Sequence, residues 1–279
     1  MKSLIRKKLL FILIILIFTS CGQRYSGKIA PKAVNGVLDL SGWDFKKDGP
    51  VELKGDWKFY WKKLINPTVL VKGHVPQFDS LVTAPGRWDS GDKNFPKYGF
   101  GSFLLKVKGL DDKLTYFFNS PEIFTAYKMF IASKDGVRKI FNVGEVGKQK
   151  RFEHPRFSFE ISKVDSLGDI TLLIHVSNFY YRFGKINSPP RIGLKSQIKW
   201  FFEYNKYRDF FGIGVLFIMS IYHFGLFSLR REDSLSLYFA FFCGLVGLRI
   251  LVLNKFVTWF YSSPSKLNSK SNLLNLDPD

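Results

Sequence analysis

Cysteine is all but missing. The 279-residue chain has two, Cys21 and Cys243, and none between them. The body of the chain therefore holds no disulfide framework and no cysteine zinc site. Histidine is scarce as well. His74, His154, His175 and His223 are scattered, and none belongs to a metal-ligand spacing such as H-E-x-x-H. There is no G-x-S-x-G elbow and no P-loop, and Gly99-x-Gly101 lacks the rest of a dinucleotide fingerprint. Acidic residues are few, 23 against 42 lysines and arginines, which leaves a formal charge of +19. Asp56, Asp89, Glu145 and Glu160 are among them. Sequence spacing does not show any two at the roughly 5 to 9.5 Å that glycoside hydrolysis needs. Nothing argues for an enzyme, and no cofactor or metal is implied. An arginine-rich helix or a basic–aromatic signature for nucleic acid is also missing. The positive charge fits an anionic partner such as lipid head groups or cell-wall polymers. Lysine, phenylalanine and isoleucine also have codons rich in A and T, so genome composition can account for part of it.

What is present is a long apolar run. Phe210 to Leu229 carries no formal charge, and His223 is its only ionisable side chain. As a helix it would be about 30 Å long, the thickness of a bilayer core. Arg230 and Arg231 follow at once, as the positive-inside rule expects of a cytoplasmic end. A second apolar run covers residues 235–253, after the short charged link Arg230-Arg231-Glu232-Asp233-Ser234. The first helix then runs inward, the second returns, and everything before residue 210 lies outside the cytoplasm. Arg249 falls near the outer end of the second run, where its stem can lift the guanidinium to the interface. His223 sits near the inner end, at a depth roughly 10 Å away, so the two are not expected to pair. Cys243 reads as a small packing residue.

The N-terminus is an export signal, residues 1–21. Lys2, Arg6, Lys7 and Lys8 precede the apolar segment Leu9 to Phe18, which is too short to span a membrane. Phe18-Thr19-Ser20-Cys21 resembles a bacterial lipobox, with Cys21 as the lipidated residue and phenylalanine where leucine is usual. Ordinary cleavage, or none, is the alternative and leaves Cys21 an idle thiol.

After a polar leader, residues 22–35, the chain reads as short strands broken by turns. Lys47-Asp48-Gly49-Pro50 is a turn. Val51 to Leu53 and Trp57 to Trp61 read as strands divided by Gly55. Phe103, Leu105 and Val107 share one side of a strand from Phe100 to Val107. Leu114 to Phe118 is compact enough for burial on both faces. Tyr127 to Ala132 and Val137 to Val143 form a hairpin about Lys134-Asp135-Gly136. Ile170, Leu172, Ile174 and Val176 alternate with other residues as a half-buried strand does. No amphipathic helix is evident before Lys195. This pattern argues an all-β sandwich over residues 36–195. Residues 196–209 form a juxtamembrane helix or linker, with Trp200 and Tyr204 suited to the membrane interface. Residues 257–279 are polar and without periodicity, and read as a disordered tail.

Several stretches carry a resemblance. Gly36 to Leu40 with Trp43-Asp44-Phe45, and Leu53-Lys54-Gly55-Asp56-Trp57-Lys58-Phe59-Tyr60-Trp61, look like the opening of a periplasmic sensor module. Ala84-Pro85-Gly86-Arg87-Trp88, Tyr98 to Phe103 and Val176 to Arg182 are similar to the same module. Ile221-Tyr222-His223, Leu237-Tyr238-Phe239 and Gly247-Leu248-Arg249 extend the resemblance into the membrane. The chain thus resembles bacterial seven-transmembrane receptors with diverse intracellular signalling modules, from about residue 36 to about residue 256. The resemblance implies a jelly-roll, galactose-binding-like sandwich followed by two transmembrane α-helices. It also implies recognition of a carbohydrate or other small ligand. The family continues with five more helices and a cytoplasmic output domain. The chain is expected to be either a truncated receptor or a short two-helix relative that works alone or with a partner, and no output activity carries over. Trp57 and Phe59 are expected in the core.

Trp88, Tyr98, Asn178 and Arg182 are the ligand-binding candidates. Aromatic rings stack on sugar faces, while amides and guanidinium groups bond hydroxyls. Packing and turn formation is the alternative role for each. The leading expectation is a membrane-anchored sensor, the input part of a receptor, in the inner membrane with its N-terminal domain in the periplasm. A scaffolding protein that binds a partner protein is the second, and a glycosidase-like enzyme the third.

Overall fold

The computed structural model describes residues 25–73, 75–90, 93, 95–147, 161–165, 168–232 and 234–253. The chain divides into two compact units, Met1–Lys199 and Trp200–Asp279. The proposed lipidation residue Cys21, and the polar tail 257–279, lie outside the described residues.

The first unit is built mostly of antiparallel sheet. Its larger sheet has seven strands: β1 (Val37–Asp39), β3 (Gly55–Trp61), β4 (Ser80–Ala84), β6 (Gly99–Lys108), β8 (Ala126–Ser133), β9 (Gly136–Val143) and β11 (Ile170–Asn178). They lie in the order β4-β3-β6-β11-β8-β9, with β1 parallel to the far end of β6. β6 is long enough to take two partners on one edge. β3 pairs with its residues 101–104 and β1 with its residues 106–108. The smaller sheet runs β10 (Ile161–Asp165), β7 (Thr115–Asn119), β13 (Arg191–Gly193), β2 (Val51–Glu52). A short ladder joins β5 (Gly86–Arg87) to β12 (Lys185–Ile186).

The two larger sheets share one core. Trp57, Phe59, Phe103, Leu172 and Ile174 of the larger sheet belong to the same buried cluster as Val51, Phe118 and Ile192 of the smaller one. Trp57 and Phe59 are core residues, as their place in the opening motif suggests, and the Trp57 indole Nε1 donates to the Leu53 carbonyl at 3.0 Å. Gly55 is needed where it stands. Its φ is +114°, and a Cβ there would run into the Ala33 backbone.

Some elements differ from the sequence reading. β11 is buried on both faces, not one. A central strand of this sheet needs cover outside as well as inside, and the connection from β3 to β4 supplies it. That connection contains α2 (Thr68–Val71), and its Ile65 and Leu70 pack with Tyr60, Leu104, Ala132 and Leu173. β7 buries only alternate residues, Tyr116 and Phe118, since its other face is outward. The turn at residues 47–50 is preceded by a helical turn, α1 (Phe45–Asp48), capped by Asp44, whose carboxylate accepts from the Lys46 N–H at 2.9 Å. The hairpin of β8 and β9 forms as the alternation predicts.

The second unit holds most of α3 (Lys195–Leu229) and all of α4 (Ser234–Leu253). Both helices are long and apolar enough to cross a membrane. The expected juxtamembrane segment 196–209 is helical throughout, so no break separates it from the apolar run. The helices are antiparallel. The Ser220 hydroxyl donates to the Ala240 carbonyl at 2.8 Å, and Gly247 lies against Leu216 and Phe217. Cys243 is buried. The His223 ring meets Phe239, 4.6 Å between centroids, while Arg249 is exposed.

His175 gives the first unit a pH dependence. It projects outward from β11, is buried, and its Nε2 lies 2.9 Å from the Ile65 carbonyl. Burial, with Lys128 nearby, pulls its pKa down to about 4. The unfolded chain therefore binds the proton between about pH 6.5 and 4 while the folded chain does not. Stability is complete above pH 6.5 and falls as pH drops toward 4, by up to about 3 kcal/mol from this group. Urea unfolding followed by tryptophan fluorescence should show this loss. His175→Gln, which keeps a donor for Ile65, should flatten the slope over that window relative to wild type.

Candidate functional site

The pairing of β6 with β11 sets Asn178 opposite Gly99. The chain entering β6 and the chain leaving β11 therefore emerge side by side. Asn178 joins them. Its Nδ2 donates to the Lys97 carbonyl at 2.9 Å and to the Tyr181 carbonyl at 3.0 Å, and its Oδ1 accepts from the Tyr181 N–H at 3.0 Å. The amide spends three hydrogen bonds on two loops and is fully buried.

Trp88 forms the floor. Its ring is 0% exposed and stacks on Phe59 at 5.7 Å and 15°. Its backbone N–H donates to the Gly184 carbonyl at 3.1 Å and its Nε1 to the Pro96 carbonyl at 2.9 Å. Gly184 lies so close to the indole that a Cβ there would overlap the ring. Phe95 closes the cluster, edge-on to Phe59 and stacked on Trp61.

Above this floor the rim is aromatic and basic. Tyr98 is 55% exposed, and Tyr180, Tyr181 and Arg182 are also exposed. Phe124 meets Tyr181 edge to face at 5.3 Å. Phe183 lies 4.0 Å from the Arg87 guanidinium and 5.1 Å from that of Arg182. Arg87 also grips Asp89 with two bonds, Nε at 2.7 Å and Nη2 at 2.5 Å. That pairing holds the Asp89 carboxyl below its ordinary range against the opposing effect of burial, and it raises the Arg87 guanidinium in turn. The charge on Asp89 is thus already matched.

The four residues proposed from sequence come together at this end of the unit, in two different situations. Tyr98 and Arg182 are open to solvent. Trp88 and Asn178 are buried and hold the loops that carry the other two. Tyr180, Tyr181, Phe124, Phe183 and the Arg87–Asp89 pair were not among the ligand-binding candidates, although Asp89 was noted as a carboxylate. Three of those residues, Arg87, Tyr180 and Tyr181, lie inside motifs already recognised. Asp89 and Phe183 adjoin Trp88 and Arg182 in the sequence, and Phe124 reaches the site through its ring contact with Tyr181. Among the described residues no group of three or more His, Cys, Asp or Glu side chains could hold a metal ion.

Residues 205–276 match the model of the family described as 7TM diverse intracellular signalling. The match covers about a quarter of the chain, including the apolar part of α3 and all of α4. With the two apolar helices, it supports a membrane signalling receptor of seven-transmembrane type. No curated protein matches the chain. Among solved structures, the β-glucuronidase of Ruminococcus gnavus is similar at 11% identity and a TM-score of 0.33, over 52% of this chain and 29% of that one. The β-glucuronidase of Faecalibacterium prausnitzii is similar at 12% identity and a TM-score of 0.36, over 51% and 31%. The chain thus spans less than a third of the length of either enzyme, and a likeness of this extent carries no weight for its chemistry.

Asn178 offers a direct test of how the rim is held. Asn178→Ala leaves two carbonyls and an N–H unpaired, so it should cost about 1–3 kcal/mol in urea unfolding. Asn178→Asp should cost more at neutral pH, because a carboxylate would then face the Lys97 and Tyr181 carbonyls that now accept from the amide.

Proposed function

We propose that this protein is a membrane-anchored extracytoplasmic ligand-binding sensor, the input part of a signal-transduction receptor. In this reading the two-sheet unit, residues 36–195, is a jelly-roll sensor domain in the periplasm. Residues 210–229 and 235–253 cross the inner membrane, and Cys21 is lipidated. The ligand is a carbohydrate or another small molecule. Tyr98 and Arg182 contact it, while Trp88 and Asn178 position their loops. The receptor-family match favours a sensor without catalytic activity of its own.

One observation carries this reading. A single residue, Leu194, separates the last strand from a helix of membrane-crossing length. β13 ends at Gly193 and α3 begins at Lys195. The first turn of α3 is held in the two-sheet unit. Gln197 and Ile198 are buried, and Gln197 donates to the Phe45 carbonyl while accepting from the Leu194 N–H. A ligand that binds two arrangements of the rim loops with different affinities would shift their populations and bias α3.

A second reading rests on the same rim. Exposed tyrosine and arginine are also the residues that dominate protein–protein contacts, which suits a scaffolding protein with a partner protein.

Thermal unfolding of the detergent-solubilised chain, with and without a panel of sugars and cell-wall fragments at millimolar concentration, separates the two. A carbohydrate ligand at a hundred times its Kd should add about 2.7 kcal/mol, read as a raised midpoint. Tyr98→Ala should abolish that shift. If no member of the panel moves the midpoint, the carbohydrate reading fails. A stable co-purifying protein would then favour the scaffold.

A further inference from the structure

Two side-chain oxygens at the rim end of the first unit are buried without a hydrogen bond. Among the described residues, neither Thr125 Oγ1 nor Asn187 Oδ1 has a partner. Thr125 as a whole is only 7% exposed. Folded proteins satisfy nearly all such atoms, so each exception needs a reason. Valine matches threonine in shape, so packing alone does not call for the Thr125 hydroxyl.

Both oxygens belong to one short stretch of structure, residues 120–125 and what is laced to it. Thr125 ends the stretch, one residue before β8. The ladder between β8 and β11 ends at Ala126 and Ser177, so Thr125 enters the sheet beside Asn178. Asn187 follows β12, and its N–H donates to the Glu122 carbonyl at 2.9 Å. The Glu122 N–H donates in turn to the Ser188 carbonyl at 2.9 Å. Between these ties Phe124 meets the Tyr181 ring. The stretch therefore joins both oxygens to the loop that carries Tyr181 and Arg182, the loop that the Asn178 amide also holds.

The chemistry of the two atoms limits what satisfies them. An amide oxygen only accepts, and a threonine hydroxyl accepts or donates. A ligand that pairs with both must bring hydrogen-bond donors, and an ionised carboxylate has none. The rim restricts the kind of donor. Lys97 and Arg182 are exposed there, while the Asp89 carboxylate is taken by Arg87. An ammonium donor would meet like charge. Neutral O–H and N–H groups remain, which a sugar or an N-acetylated sugar supplies. The exposed rings of Tyr98 and Tyr180 suit the apolar face of the same molecule.

We infer that Thr125 and Asn187 form the inner, hydroxyl-binding part of the ligand site and accept from donor groups of a sugar. The inference rests on the sensor reading above and adds two residues to its site. It also supplies the differential affinity that reading needs. The loop arrangement that admits the sugar pairs two oxygens that the sugar-free arrangement leaves unpaired.

Thermal unfolding of the detergent-solubilised chain with D-glucose, D-galactose, N-acetyl-D-glucosamine and cell-wall fragments tests it. Thr125→Val removes the hydroxyl and keeps the shape. Without sugar its midpoint should equal or exceed that of wild type, because no hydrogen bond is lost. With sugar, the concentration needed for a given shift should rise about two- to tenfold, the worth of one neutral hydrogen bond. Asn187→Ala should weaken the same sugar to a similar extent. Thr125→Ser keeps the hydroxyl and should respond to sugar as wild type does. A sugar-free midpoint lowered by Thr125→Val would show that the hydroxyl is already paired and would overturn the inference. A response lost in Thr125→Ser as well would assign the effect to packing, with the same result. Each residue's part falls if its own variant keeps the wild-type response. If no sugar moves even the wild-type midpoint, the carbohydrate reading fails and this inference falls with it, whereas a wild-type shift that both variants retain overturns the inference alone.

Discussion

The nine-residue ladder between β6 and β11 is the constraint on which the first unit depends. It runs unbroken from Gly99–Asn178 to Val107–Ile170. Because side chains alternate along a strand, this register sends Leu172, Ile174 and Val176 inward and Leu173, His175 and Ser177 outward. A slip of one residue would exchange the two sets and carry a histidine and a serine into an apolar core. The same register brings the start of β6 beside the end of β11, which is why the Asn178 amide can hold both loops of the rim. Core and site are two consequences of one pairing.

The outer face of that ladder is mixed, and its buried polar side chains are satisfied. The Ser102 hydroxyl donates to the Lys63 carbonyl at 2.7 Å and accepts from the Ile65 N–H at 3.3 Å. His175 meets the Ile65 carbonyl, and the Ser177 hydroxyl bonds both the N–H and the carbonyl of Gly147. An apolar outer face would let the covering segment slide, whereas these bonds place it. Any one left unmade would cost about 1–3 kcal/mol. The apolar contacts of Leu70 and Leu173 supply cover, and the hydrogen bonds supply position.

The sequence showed much of this through period and punctuation. Alternation located β6 and β11, and Asp135-Gly136 located the hairpin. The apolar runs located the membrane helices. What it hid were features set by contacts between distant residues. Nothing in Ile170 to Val176 says that Ile65 and Leu70 will cover its second face, so the strand reads as half-buried. Nothing in Asn178 says that its amide will be consumed by Lys97, 81 residues earlier. The rim was legible as motifs containing Arg87, Tyr98 and Tyr181. The division of those motifs into buried supports and exposed contacts depends on three-dimensional packing that local spacing does not encode.

Helix α3 joins these levels. It contains no proline from Lys195 to Leu229, so its hydrogen-bond ladder has no enforced break. One face meets α4 through Leu216, Phe217 and Ser220, so a rotation of the helix about its axis would alter that contact. A ligand could drive such a change only through the groups that tie its first turn to the strands. Moving a two-state equilibrium from 1:99 to 99:1 needs about 5.5 kcal/mol of differential affinity. The two hydrogen bonds of Gln197 are worth about 1 kcal/mol each. They cannot carry that difference alone. The buried Ile198 side chain and the β13 strand that leads into the helix would have to shift with them, which makes the whole junction from Arg191 to Ile198, and not one bond within it, the unit through which the rim could act on the membrane.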